Sequence, residues 1–142
     1  MLEYIPNAHS QSDVLVYLPK SNVIHMGDIL FNERYPYIDV NAGGGINGMI
    51  EGVQRGIALA DEQTKIIAGH GKTTNQAGLK EYLNMLVSVR DAVQKQKAQG
   101  KTLAQIQASK PIAQWDSVYT NQLISPERFV ESVFNSLPSA QK

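Results

Sequence analysis

The chain has 142 residues, with 13 basic and 13 acidic side chains and no cysteine. That length suits one domain with one hydrophobic core. The balanced charge gives no electrostatic basis for nucleic-acid binding, and the lack of cysteine excludes disulfide scaffolds, zinc ribbons and thiol nucleophiles. No apolar run approaches the roughly 20 residues of a membrane span, so we expect no membrane partner. The N-terminus has no signal-peptide pattern, which predicts a cytoplasmic location unless a longer parent protein is exported.

The first part of the chain, residues 1–71, has short apolar segments bounded by turn residues. Two runs at 14–18 and 23–26, separated by a polar turn, predict a β-hairpin. Residues 2–5 and 65–68 predict two further strands. Neither hairpin run alternates apolar and polar residues, which favours strands covered on both faces.

Helices dominate the second part, residues 72–142, and we treat 1–142 as a single domain. One earlier helix begins at Ile46, where apolar residues follow a helical stripe. Glycines interrupt that helix at intervals of four, and each costs about 1 kcal/mol relative to alanine. The interval fits either a GxxxG helix pair or close packing on a sheet, and a chain without membrane spans favours the sheet. Further helices are predicted at 75–99, after a Thr102 cap, and after the N-cap pair Ser125-Pro126.

Three polar clusters follow or precede the predicted strands, where ligand sites of α/β proteins collect. They contain His9, Asp28 and His70, and two imidazoles with one carboxylate suit zinc, iron or manganese. The alternative is that each is structural, as a hydrogen-bonded strand-end histidine or an aspartate in a turn. His25 lies inside a strand and is expected to be structural, and Asp13 is expected to accept hydrogen bonds from turn amides.

The order of these clusters resembles the C-terminal half of the metallo-β-lactamase superfamily. The motifs that carry the resemblance are Ala8-His9-Ser10-x-Ser12-Asp13, then Gly27-Asp28, then Gly69-His70-Gly71. The resemblance implies an α/β (α+β) fold that is half of an αββα sandwich. It would have one mixed β-sheet with helices on one face and a partner subunit over the other.

The resemblance also implies roles for individual residues. His9 matches a ligand of a first zinc ion, His70 matches a ligand of a second, and Asp28 matches the carboxylate that bridges them. Asp13 matches the structural acid of the first motif. Ser10 stands where the family usually has threonine, and Ser12 replaces a glycine.

The family's N-terminal signature, His-x-His-x-Asp-His, does not occur in this sequence. The chain has three histidines, and no two are spaced i, i+2. We therefore expect a hydrolase-like protein that lacks half of the metal site, binds zinc weakly or not at all alone, and is not an efficient hydrolase by itself. The alternative is a metal-dependent hydrolase of an ester, thioester, lactam or phosphoester, completed by a partner chain or an N-terminal segment. Whether the chain is an enzyme stays open, and no catalytic residue is assigned.

A half-sandwich would leave one face of its sheet bare. That face is expected to carry Val14 and Val16, with Val23 or Ile24 and Ile66 or Ile67. Large exposed apolar patches usually mark an interface, so we expect a homodimer through this face or a separate N-terminal-half chain bound to it. A tyrosine-rich loop at 33–37 could line a substrate mouth or pack on its own helices.

Overall fold

The computed structural model describes residues 1–121 and 123–139. Four strands form one mixed sheet in the order β1-β2-β3-β4. The first three strands pair antiparallel, and β3 pairs parallel with β4. Their bounds are β1 Leu2–Ile5, β2 Asp13–Leu18, β3 Val23–His25 and β4 Lys65–Ile67. The strands predicted from the sequence, including the hairpin, are confirmed.

Five helices accompany the sheet, and the three longest coincide with the predicted ones. Asn75 and Ser125 cap the second and fifth helices, and Thr102 forms a capping box with Gln105 at the third. These caps satisfy the amides that a helix start leaves unpaired. The helices are α1 Ile46–Leu59, α2 Gln76–Ala98, α3 Leu103–Ala108, α4 Asp116–Tyr119 and α5 Pro126–Ser136. Within the described residues, no helix is long and apolar enough to cross a membrane.

The helices cover one face of the sheet. Leu15, Ile24 and Ile66 point into this core and are at most 1% exposed. An ion pair between Arg55 and Glu3 also joins α1 to β1. The core is one continuous cluster, because α1 packs on α2 and α2 packs on α5.

The opposite face of the sheet is largely open in the described chain. Leu2 pairs with Val16 and Tyr4 pairs with Val14 across β1 and β2, so these four side chains share one face. Leu2, Tyr4 and Val14 are 73%, 57% and 40% exposed. The expectation that both faces of the hairpin are covered therefore does not hold within this chain.

The glycines of α1 let the helix approach its neighbours closely. A Cβ on Gly52 would lie 3.0 Å from side-chain atoms of Ile5 and Ile29, and one on Gly56 would lie 2.7 Å from the sulfur of Met26. A Cβ on Gly48 would collide with the carbonyl of Asn7. The helix thus packs on strand β1 and on the loop that follows it, which agrees with the expected close packing of its glycines on the sheet.

Candidate metal centre

His9 lies in the loop between β1 and β2, and its backbone and its ring each have a neighbour. Its carbonyl accepts a hydrogen bond from the amide of Asp39 at 2.8 Å. Its ring nitrogen Nδ1 lies 3.4 Å from Oδ1 of Asp13. The other oxygen of Asp13 accepts from the amide of Ser10 at 2.7 Å. Asp13 therefore contacts both the turn amide of Ser10 and the imidazole, which leaves Nε2 of His9 directed elsewhere.

Asp28 follows β3 in a short 3-10 turn at Gly27–Ile29. Gly27 has φ +55°, a left-handed conformation that suits glycine. The amide of Gly27 donates to Nδ1 of His25 at 3.0 Å. His25 is exposed and lies across from Val16. Its ring therefore contacts the turn that presents Asp28, and it does not lie in the core.

His70 comes just after β4, beside the Asp28 turn. The amide of Gly69 donates to the carbonyl of Gly27 at 2.9 Å, which ties the two turns together. The His70 ring stacks on Phe31, with centroids 4.4 Å apart and planes 8° from parallel. Because β3 and β4 are parallel, the turns after both strands meet at the same edge of the sheet.

The structure brings His9, Asp28 and His70 together. The two oxygens of the Asp28 carboxylate face different rings. Nε2 of His70 lies 3.1 Å from Oδ1, and Nε2 of His9 lies 3.9 Å from Oδ2. All three side chains remain partly accessible, at 21% for His9, 42% for Asp28 and 40% for His70.

The distances between the imidazole nitrogens and the carboxylate oxygens of Asp28 are close to those between two ligand atoms of one zinc ion. Two ligand atoms of a tetrahedral zinc ion lie about 3.4 Å apart when each bond is about 2.1 Å. The two imidazole–carboxylate separations fall on either side of that value, so each pair fits as two ligands of one ion. Across residues 1–121 and 123–139, no three or more His, Asp or Glu side chains form a group that could hold an ion. Each imidazole–carboxylate pair offers two ligand atoms, and Asp28 belongs to both pairs.

A cavity of about 380 Å³ opens over these residues. Its other walls come from the loop before α1 and from the start of α5. Most side chains of these walls are apolar, and Arg128 is cationic. The lining residues are His9, Asp28, Phe31, Tyr37, His70, Leu123, Ile124 and Arg128.

The tyrosine-rich loop places one tyrosine at the cavity and another in the core, and a role at a substrate mouth stays a prediction. Tyr37 lines the cavity, with its ring centroid 5.8 Å from that of His9. Tyr35 is buried between Tyr119 and Phe129, and its hydroxyl donates to Asp116 at 2.7 Å. Burial first, and then this contact with a carboxylate, raise the pKa of the Tyr35 phenol well above its usual range. Tyr35 is thus a neutral packing residue at ordinary pH.

The cavity walls from α5 were not predicted from the sequence. Arg128 and Ile124 lie more than fifty residues beyond His70, and no local pattern links them to the motifs. The sequence signal in this region is the N-cap pair Ser125-Pro126. It predicts where a helix begins, and it does not predict that the helix lies beside the cavity.

Comparisons with known proteins were made on sequence and on structure. No protein-family model and no curated protein sequence matches the chain. Among solved structures, the stereoselective inverting sec-alkylsulfatase Pisa1 from Pseudomonas sp. is similar over 94% of this chain, with a TM-score of 0.72 and 14% identity. Weaker similarities include the BLEG-1 B3 metallo-β-lactamase, with a TM-score of 0.49, 24% identity and 60% of this chain covered.

The chain has part of a metallo-β-lactamase fold, which is the fold of the sec-alkylsulfatase. It spans 23% of the length of the sec-alkylsulfatase and 40% of that of the B3 enzyme. The metallo-β-lactamase fold expected from the motifs is confirmed, with one mixed sheet and helices on one face. The likeness to the sec-alkylsulfatase, at 14% identity, shows a hydrolase-like fold. It does not show the activity.

Proposed function

We propose that this metallo-β-lactamase-like chain supplies half of a two-metal site. His9 and Asp28 would hold one ion, and Asp28 and His70 would hold the other. The observation that carries the proposal is the Asp28 carboxylate, whose two oxygens face the two imidazole nitrogens at 3.9 and 3.1 Å. Asp13 supports it, because a carboxylate on the far nitrogen of a metal-binding histidine fixes which nitrogen is available.

Zinc is the ion that we propose, bound weakly by the chain alone. When bound in such a site, the ion acts as a Lewis acid and lowers the pKa of a coordinated water. A catalytic zinc site has three protein ligands and an open position, whereas each half-site here has two. This chain alone is therefore proposed not to be an efficient hydrolase.

The alternative is a complete metal-dependent hydrolase in which a partner chain or an N-terminal segment adds the remaining ligands. Its substrate would be an ester, thioester, lactam or phosphoester. The open apolar face of the sheet supports this alternative, since a partner bound there would lie beside the metal residues. A homodimer through the same face would cover it but would add no His-x-His-x-Asp-His signature.

Zinc titration of the full chain by calorimetry tests the proposal. We expect weak binding that His9→Ala and His70→Ala each reduce, and that Asp28→Asn reduces most, since both half-sites use that carboxylate. Asp91→Asn is the matched control for Asp28→Asn, because it neutralises a carboxylate that pairs with Arg90 and lies outside both half-sites. Zinc binding that is equally weakened by Asp91→Asn, or that survives Asp28→Asn, would contradict the shared site. Hydrolysis restored by a chain carrying the missing signature would favour the alternative.

A further inference from the structure

Arg128 lies in the first turn of α5 and forms part of the wall of the cavity that also holds His9, Asp28 and His70. The side chain is exposed. Among the described residues, no carboxylate lies within ion-pair distance of its guanidinium. Within residues 1–121 and 123–139, the guanidinium donates one hydrogen bond, from Nη1 to the carbonyl of Leu123, at a long 3.4 Å. Most of its five N–H donors are therefore available to a ligand.

The remaining wall beside Arg128 is apolar. Phe31, Tyr37, Leu123 and Ile124 line it, and Leu123 is 63% exposed although it is a large aliphatic side chain. A cavity of about 380 Å³ falls within the range of small-molecule sites. Such sites usually combine apolar walls with a few polar groups that fix orientation. Here the polar groups differ in charge, with a cation from α5 and a carboxylate–imidazole cluster from the sheet edge.

We propose that this cavity binds an organic anion with a compact apolar body. The anionic head group would bind Arg128, and the apolar body would pack on Phe31 and Tyr37. The guanidinium geometry matches carboxylate, phosphate or phosphonate oxygens, which accept two parallel hydrogen bonds. In the zinc-free chain Asp28 repels a head group of the same charge, which favours placing that group at Arg128. The proposal rests on the proposed function in one respect, because it makes this anion the substrate class of the same site.

The test uses benzylphosphonate, which has no hydrolysable bond, and benzyl alcohol as its uncharged counterpart. Each is titrated into the full chain, without zinc and then with zinc, and binding is followed through backbone amide shifts. We expect benzylphosphonate to produce saturable shifts at the cavity residues in both conditions. Arg128→Gln is expected to weaken this binding about tenfold, which is the effect of losing one charge-assisted contact. Arg90→Gln, which removes a remote arginine paired with Asp91, is expected to change nothing.

Three results would overturn the proposal. They are no saturable shift at the cavity, equal affinity for benzyl alcohol, and unchanged affinity in Arg128→Gln. The zinc-free titration separates the two hypotheses. A chain that binds benzylphosphonate through Arg128 but binds no zinc supports the anion site and contradicts the metal site. The reverse result supports the metal site alone.

Discussion

Gly69 controls the position of the Asp28 carboxylate. A Cβ at this position would lie 2.6 Å from Oδ1 of Asp28 and 2.5 Å from the carbonyl of Gly27. Both distances are too short for real contacts, and because one of them is to the backbone of Gly27, the turn that presents Asp28 must shift together with the carboxylate. Gly69 itself is exposed, and its backbone does not adopt a left-handed conformation. Alanine would therefore disturb the site more than the core.

We predict that Gly69→Ala weakens zinc binding while leaving the fold intact. The affinity should fall about tenfold, the equivalent of about 1.4 kcal/mol, because Oδ1 is the oxygen nearest His70. Calorimetry measures the affinity, and circular dichroism checks that the helix content is unchanged. Unaltered zinc affinity in a folded Gly69→Ala protein would show that the Asp28–His70 pair is not used.

Tyr82 is a second informative residue, because its buried hydroxyl has no hydrogen bond of normal geometry among the described residues and has the backbone of Phe31 as a polar neighbour. Leaving a buried polar group unpaired costs about 1–3 kcal/mol. Burial also raises the pKa of this phenol well above its ordinary value of about 10. A raised pKa in the folded state means that its contribution to stability is complete below pH 10. That contribution is lost as the pH rises further, because the unfolded chain ionises first.

We predict that Tyr82→Phe is at least as stable as the wild type at pH 8 and more resistant to alkali. One ionising group changes the free energy of unfolding by at most about 1.4 kcal/mol per pH unit, so the variant should lose about 1 kcal/mol less between pH 8 and 11. Urea unfolding at the two pH values measures this. Tyr4→Phe, on the exposed sheet face, is the control. If both variants lose stability equally, burial of Tyr82 does not govern the alkaline transition.

At the scale of elements, helix α1 determines where the His9 loop lies. Gly48 packs so tightly on the loop that a Cβ would lie 1.7 Å from the carbonyl of Asn7 and 2.8 Å from the amide nitrogen of Ala8. The amide of Gly45, just before the helix, also donates to the carbonyl of Ala8 at 2.9 Å. The helix therefore fixes the position of the loop that carries His9.

We predict that Gly48→Ala destabilises the chain by about 2–3 kcal/mol, the usual cost of overpacking. Helix propensity alone would stabilise the alanine variant by about 1 kcal/mol. A loss of stability would therefore show that close packing at Gly48 outweighs helix propensity. Gln54→Ala, at an exposed position of the same helix, is the control and should be neutral or slightly stabilising. Thermal unfolding of both variants measures the difference. A stabilised Gly48→Ala would contradict the close approach.

The elements were predictable because their signals are local. The apolar stripe of α1, the Thr102 cap of α3 and the Ser125 cap of α5 depend on a few neighbouring residues. Convergence of His9, Asp28 and His70 came from motif order and a family resemblance, since no local rule brings positions so far apart together. The roles of Tyr35 and Tyr37 could not be separated, because which of two nearby tyrosines is buried depends on α5.

At the scale of the whole molecule, the open sheet face determines what the chain associates with. The structure shows which of the alternative residues lie on this open face. Val23 and Ile67 lie on it, whereas Ile24 and Ile66 point into the core. We propose that a second copy covers this face, with a separate N-terminal-half chain as the other candidate. Burial of apolar surface supplies about 25 cal/mol per Å² and would drive either association.

We predict a dimer of the full chain in light scattering, at twice its 15.6 kDa mass. Val14→Lys, in the middle of the open face, should shift it to the monomer without loss of helix content. Gln54→Lys adds the same charge on the helical side and should leave the dimer intact. A 15.6 kDa monomer at all concentrations would contradict self-association and leave the separate chain as the partner to seek.

The central claim is that one carboxylate serves two imidazoles as halves of a two-metal site. With three histidines in the chain, nitrogen NMR of the imidazole rings during zinc titration tests it most directly. We expect that Nε2 of His9 and Nε2 of His70 shift, that His25 does not, and that Asp28→Asn abolishes both shifts. A response at His25 of the same size, or shifts that persist in Asp28→Asn, would contradict it.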